Sequence, residues 1–442
     1  MNRSDPRDRR SSAQGSGAPW SAGLPAAATA AALVLAAAVL GCPEPLPAPR
    51  AGEPSPPPEP AAVAGLGAGA GPGAVAAPGA GAGPSADATP AADAAAAAGA
   101  APAVGAAPAT DATPAAAPGS VELDRGRLAR GVERLGGLAG VRSVLVMHGD
   151  RVVADESFAG SGLNERPVDV KSASKSVLSA LVGIAIERGA IAGLDATVGE
   201  LLPAYARALD EAKRAITVGD LLAMESGLAP TSGEHYGAWV TTDDWTAAAL
   251  ARPLEAKPGS VFTYSTGNSH LVSAILTEAT GKSTLELAGE ALFGPLGVEI
   301  AGWERAPEGY YLGGNSLRIA PRDLARFGRL YLAGGRWQGR QLVSRAWIEV
   351  STRRHSEGWP ERYGAYGYFW WLPPDDPWDS FAAIGYGGQL LYVVPELNML
   401  AVVTSTPETK GEEWDREAFT ILRDEVFGAA LETAVLGGNL EH

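Results

Sequence analysis

Ser172 and Lys175 stand three residues apart in Lys171-Ser172-Ala173-Ser174-Lys175-Ser176, and apolar residues follow at 177, 178, 181, 184 and 185. That spacing is helical, so the serine hydroxyl and the lysine amine share one face of a first turn. A lysine is out of place there. The start of a helix already presents partial positive charge and favours Asp, Glu or Ser. The sequence therefore predicts a lowered pKa for Lys175, which suits it to act as a general base, and a field that favours negative charge developing at Ser172. An activated serine nucleophile is the chemistry this pair can perform. A surface lysine beside a capping serine would be spelled the same way, so other segments have to decide.

Two do. Phe262-Thr263-Tyr264-Ser265-Thr266-Gly267-Asn268-Ser269-His270-Leu271 sets a phenol just ahead of a helical run, and Ala383-Ile384-Gly385-Tyr386-Gly387-Gly388-Gln389 leads into two strands near the end of the chain. Glycines in such a strand let the backbone come close to a bound acyl group. Taken in this order, the three segments resemble those of the serine β-lactamase-like superfamily. That superfamily holds class C β-lactamases, D-alanyl-D-alanine carboxypeptidases, related esterases and aminohexanoate-oligomer hydrolases. Stretches 221–228, 313–317 and 366–371 also look like family segments and extend the resemblance over residues 130 to 430. Together they look closest to the aminohexanoate-hydrolase and esterase side.

The resemblance implies an acyl-enzyme on Ser172 with Lys175 as base. Tyr264 matches the tyrosine of the family's Tyr-x-Asn motif, and its phenol would bond the pair and pass a proton to the leaving group. The third position of that motif is Thr266, so the amide donor to a substrate carbonyl is missing unless Thr266 or Asn268 replaces it. Main-chain N–H groups of Ser172 and Tyr386, with Gly387 and Gly388 beside them, are the expected oxyanion and substrate-binding positions. Where β-lactamases and penicillin-binding proteins carry Lys-Thr-Gly or His-x-Gly, this chain has Ile384-Gly385-Tyr386, with no base to hold a substrate carboxylate. Arg318 is a candidate to supply that charge. The expected substrate is a small-molecule amide or ester. The alternatives are a β-lactamase or D-alanyl-D-alanine carboxypeptidase, or a catalytically silent binding or sensor lipoprotein. Tyr368, Trp370 and Trp371 are candidates for the acyl pocket, with core packing as the other explanation.

No cofactor is implied. Five histidines, one cysteine and no His-Glu-x-x-His give metal chemistry no support. Without a Gly-x-Ser-x-Gly elbow, His270 reads as a packed or surface histidine. A formal charge of −15 argues against nucleic acid as a partner.

The elements that must position these residues occupy residues 120–435. The expected fold class is α+β, β-lactamase/transpeptidase-like: one antiparallel sheet built from both chain termini, flanked by helices, with an inserted helical lobe. The sequence predicts a helix over 123–138, strands over 141–147 and 151–158, and helices over 218–224, 243–251, 268–280, 283–292 and 321–333. Strands are expected over 366–372, 390–394 and 399–404, and a closing helix over 412–427.

Ahead of that domain, Arg3, Arg7, Arg9 and Arg10 precede an apolar stretch, Leu24 to Leu40, that ends at Gly41-Cys42. This is the pattern of a lipoprotein-type signal peptide over 1–42, with Cys42 as the lipidated residue and a bacterial cell envelope as destination. The partner expected at this end is therefore a membrane, reached through an N-terminal lipid anchor. Residues 43–119, almost all Ala, Pro and Gly, read as a disordered tether.

Overall fold

The computed structural model describes residues 122–406 and 411–430. Cys42, the signal segment and the Ala/Pro/Gly-rich tether lie outside the described residues. Among the described residues no helix is long and apolar enough to cross a membrane.

Among the described residues twelve strands form one large sheet and two small ribbons: β1 Val141–His148, β2 Arg151–Ser157, β3 Val168–Asp169, β4 Arg318–Ile319, β5 Arg336–Trp337, β6 Arg340–Gln341, β7 Ser356–Trp359, β8 Gly364–Tyr366, β9 Trp371–Leu372, β10 Phe381–Gly385, β11 Gln389–Val394 and β12 Met399–Ser405. The eight-stranded sheet runs β2-β1-β12-β11-β10-β9-β8-β7, and its neighbours pair antiparallel where the register is defined. The first and last strands thus lie side by side, with Val146 opposite Ala401. Every residue of β10, β11 and β12 is buried, so these strands read as continuous apolar runs rather than alternating ones. The Arg125–Gly137 helix packs with the C-terminal turns against the sheet, and the Pro321–Leu332 helix packs on β11 and β12.

Residues 174–280 supply the helical lobe. Its two central helices, Ser174–Glu187 and Thr266–Thr280, are buried on nearly all faces and pack on each other. A helix apolar all round belongs in a core. The expected fold class is the observed one.

Two element expectations need correction. The run 366–372 is not one strand: Tyr366 of β8 pairs with Trp371 of β9, so the chain doubles back between them. Phe369 sits there at φ +61°, and the Gly367 N–H donates to the Trp370 carbonyl. Aromatic residues are equally at home in a strand and in a tight hairpin with a buried tip, and only their packing distinguishes the two. The helix expected over 283–292 begins at Thr284 after a capping box on Ser283 and continues from Gly289 as a π-helical turn.

Candidate active site

Ser172 sits in a 3₁₀ turn, Lys171–Ala173, that leads directly into the Ser174–Glu187 helix. Lys171 adopts φ +53°, a left-handed conformation that side chains with a Cβ seldom take. Asp169 holds it there: one carboxylate oxygen accepts the Lys171 N–H at 2.8 Å and the other accepts its Nζ at 2.7 Å. The ribbon of β3 and β4 anchors Asp169, and the Val170 N–H donates to the Leu317 carbonyl at 3.0 Å.

Lys175 is 1% exposed. Its Nζ lies 3.0 Å from Ser172 Oγ, 2.8 Å from the Gly314 carbonyl and 3.5 Å from Thr266 Oγ1. Burial pushes its pKa from 10.5 down to about 7, because a charged ammonium is penalised where water cannot reach it. Gly314 has φ +81°, and a Cβ on it would stand 2.5 Å from Lys175 Cγ. Only glycine lets this carbonyl reach the amine.

The Tyr264 ring lies beside the pair, its centroid 5.1 Å from Lys175 Nζ. Burial raises the phenol to about 12, with a hydrogen bond to Ser172 acting in the opposite direction, so Tyr264 carries its proton at neutral pH. Ser172, Lys175 and Tyr264 are therefore brought together.

β10 reaches the same place. A Cβ on Gly385 would overlap the Val170 carbonyl and stand 3.0 Å from Lys171 Cβ, so the strand end lies against the Ser172 turn and Tyr386 follows at once. Gly387 and Gly388, at φ +77° and +81°, form the turn into β11. A Cβ on Gly388 would press on Trp414 and Ser405, so this glycine serves the turn.

Asn268 is not brought to Lys175. It is 1% exposed, its amide oxygen accepts from Ser226 Oγ at 2.9 Å, and its NH₂ faces Met224 Sδ at 3.8 Å. Thr266, two residues earlier, occupies the place instead, and its Oγ1 is 3.0 Å from Ser232 Oγ. Arg318 is exposed in β4, cross-strand from Asp169.

His270 is packed, one of the two outcomes expected of it, but its partners Glu308, Thr246 and Gly313 escape a reading of the sequence. His270 is fully buried, with Nε2 2.8 Å from Glu308 Oε1 and 3.2 Å from Thr246 Oγ1. Its Nδ1 accepts the Gly313 N–H at 3.4 Å, which assigns the ring proton to Nε2, facing the carboxylate. Ser269 Oγ donates to the Gly313 carbonyl at 2.9 Å. Gly313, just before Gly314, is thus held at both its N–H and its carbonyl. Burial alone would raise the Glu308 carboxyl; hydrogen bonds from His270, its own backbone and Thr246 outweigh this and bring it down to about 2.

Of the candidate pocket aromatics, Trp370 is fully buried and stacks on Phe327, and Tyr368 stacks on His355, so both belong to the core. Trp371 stacks on Tyr264 with ring centroids 5.8 Å apart. Trp359, which the sequence does not single out, also packs on Tyr264 and is 41% exposed. Among the described residues no group of three or more His, Cys, Asp and Glu side chains could hold a metal ion.

The chain is similar to known proteins over the same region. It is 26% identical over 304 residues to a 6-aminohexanoate-dimer hydrolase of Paenarthrobacter ureafaciens, which covers 63% of this chain and 76% of the relative. Among solved structures, a putative 6-aminohexanoate-dimer hydrolase from Bacillus anthracis superposes with a TM-score of 0.55 at 21% identity, covering 69% of this chain and 82% of that one. A penicillin-binding protein homologue from Caulobacter crescentus superposes with a TM-score of 0.56 at 18% identity, covering 70% and 98%. The Beta-lactamase family model matches residues 127–423. With a sheet closed by both ends of the domain and a helical lobe carrying Ser172 and Lys175, the chain belongs to the Beta-lactamase family.

Proposed function

We propose that this protein is an exported serine hydrolase that cleaves a small amide or ester through an acyl-enzyme on Ser172. The observation that carries the proposal is a buried lysine amine, with a pKa of about 7, 3.0 Å from the serine hydroxyl. In its neutral form Lys175 donates to the Gly314 carbonyl and turns its lone pair to Ser172. It takes the hydroxyl proton as Oγ bonds to the substrate carbonyl carbon. The oxyanion that forms is met by the main-chain N–H groups of Ser172 and Tyr386. As the carbonyl–leaving-atom bond breaks, Tyr264 gives its proton to the departing nitrogen or oxygen and is reprotonated by the Lys175 ammonium. Water then attacks the acyl-serine, giving up its proton to Lys175, and Ser172 leaves with a proton.

The likeness to the 6-aminohexanoate-dimer hydrolase supports an amide or ester over a β-lactam. So does Ile384-Gly385-Tyr386, which offers no side-chain cation to a substrate carboxylate. A desolvated carboxylate without a partner costs several kcal/mol. Cys42, at the end of the apolar stretch Leu24 to Leu40, is the proposed lipid attachment point.

The test is to expose the full chain and Ser172→Ala in parallel to a fluorophosphonate probe and a fluorescent penicillin. We expect the fluorophosphonate to label the wild type alone, and the penicillin to label it at least about a hundredfold more slowly. Equal labelling of both proteins would remove Ser172 from the mechanism, and fast penicillin labelling would move the substrate to the β-lactam class.

A further inference from the structure

Five large hydrophobic side chains are exposed among the described residues: Val152, Phe158, Val261, Trp359 and Tyr386. Val152 belongs to β2 and Phe158 follows it, but the other three adjoin the candidate site. Tyr386 follows the end of β10, where Gly385 meets Lys171. Val261 lies just ahead of Tyr264, and its neighbour Phe262 packs edge-on to Trp359 with centroids 6.2 Å apart. Exposed apolar side chains beside a polar site favour an apolar ligand.

Trp359 is the telling member. Three rings pack on Tyr264: Trp359 at 5.4 Å, Trp371 at 5.8 Å and Tyr366 at 6.4 Å. Trp371 is 4% exposed and Tyr366 1%, whereas Trp359 is 41% exposed, so it alone of the three offers substantial surface to solvent. It is also held in place, stacked on Trp371 at 5.2 Å and tilted against Tyr363 at 5.9 Å. A rigid aromatic face needs no ordering when a ligand arrives. Of the cations close to Trp359 in sequence, Arg362 is paired with Asp415 and Arg354 with Glu357.

We infer that Trp359, with Val261, is the wall that receives the leaving-group half of the substrate, and that this half is an alkyl or aryl alcohol or amine. The inference rests on the proposed role of Tyr264. If its phenol protonates the departing atom, that atom lies at the phenol, and the rest of the leaving group must run outward from there. On the inner side Lys175 is buried against Gly314, and Trp371 covers Tyr264 from within. Trp359 lines the outward course. It is a specificity residue, not a catalytic one.

The test is a series of butyrate esters from ethyl to hexyl, in which the alcohol's acidity stays nearly constant while its apolar area grows. For the full-length wild type kcat/KM is expected to rise about threefold per methylene, carried mainly by KM. In Trp359→Ala the hexyl-to-ethyl ratio should fall about tenfold, and Trp359→Phe should keep most of it. Each ratio comes from one preparation, so a partly folded variant does not distort it. In a matched series of ethyl esters with lengthening acyl chains, Trp359→Ala should leave the ratios unchanged. An alcohol-series ratio unaltered in Trp359→Ala, or an effect of that variant on the acyl series instead, overturns the inference while leaving the Ser172 reading intact. A wild type that neither turns over esters nor takes the fluorophosphonate overturns that reading and this inference with it.

Discussion

At the scale of the residue, Lys175 ties chemistry to stability. As the proposed base it works only when neutral, so kcat/KM for a neutral ester should rise through about pH 7 and then level, because Tyr264 holds its proton to about 12. Lys175→Ala should lower acylation by several orders of magnitude; a rate that stays near wild type from about pH 6 to 9 would call for another base. His270 is poorly placed to be that base, since Glu308, Thr246 and the Gly313 N–H occupy both ring nitrogens. The same depressed pKa acts on folding. The unfolded chain binds this proton below 10.5 and the folded one only below about 7. Ionisation of Lys175 therefore destabilises the fold fully below pH 7, and the penalty fades as pH rises towards 10.5, by on the order of 5 kcal/mol in all. Lys175→Met should accordingly gain stability relative to wild type at pH 6 and lose that advantage by pH 10. Chemical denaturation at the two values measures it, and a difference independent of pH would show that burial does not depress this amine.

At the scale of the element, the site is where the Thr266–Thr280 helix, the Gly313-Gly314 turn and the Ser174–Glu187 helix meet, and Glu308 ties the first two together through His270. Its carboxyl titrates at about 2 in the fold against 4.5 as a model group, so the stability it contributes is present above pH 4.5 and is lost as pH falls towards 2. Glu308→Gln should flatten the loss of stability across that window, followed by fluorescence on acid titration. A variant that acidifies along the wild-type curve would remove Glu308 from this role. Much at this scale was legible in advance. Helical spacing after Ser172 marks the helix that follows the proposed nucleophile, and Gly149-Asp150 marks the β1–β2 hairpin. What was not legible is which way a side chain turns inside a buried helix. Asn268 and Thr266 are two residues apart, and periodicity cannot tell which meets Lys175 when every residue from 266 to 276 is buried. Trp359 stands beside Gly358 and Pro360 with no local signal of its destination; its position is fixed by ring packing with residues 262, 264 and 371.

At the scale of the whole molecule, the proposed lipid anchor and the catalytic domain make separate demands on one chain. Cys42→Ala should leave the protein unprocessed or free of the membrane without altering turnover of a soluble ester; unchanged partitioning into detergent would count against lipidation. The sheet bears on the proposed export as well. β1 is flanked by β2 on one side and by β12 on the other, so a central pairing joins the first strand of the domain to the last. Until Met399–Ser405 has left the ribosome, β1 lacks that partner and the core beneath it cannot close. Contacts between the two ends of a chain are slow to form. The order in which the strands are synthesised therefore keeps the core open until β12 has emerged, the condition in which a polypeptide can be threaded through a membrane before it folds.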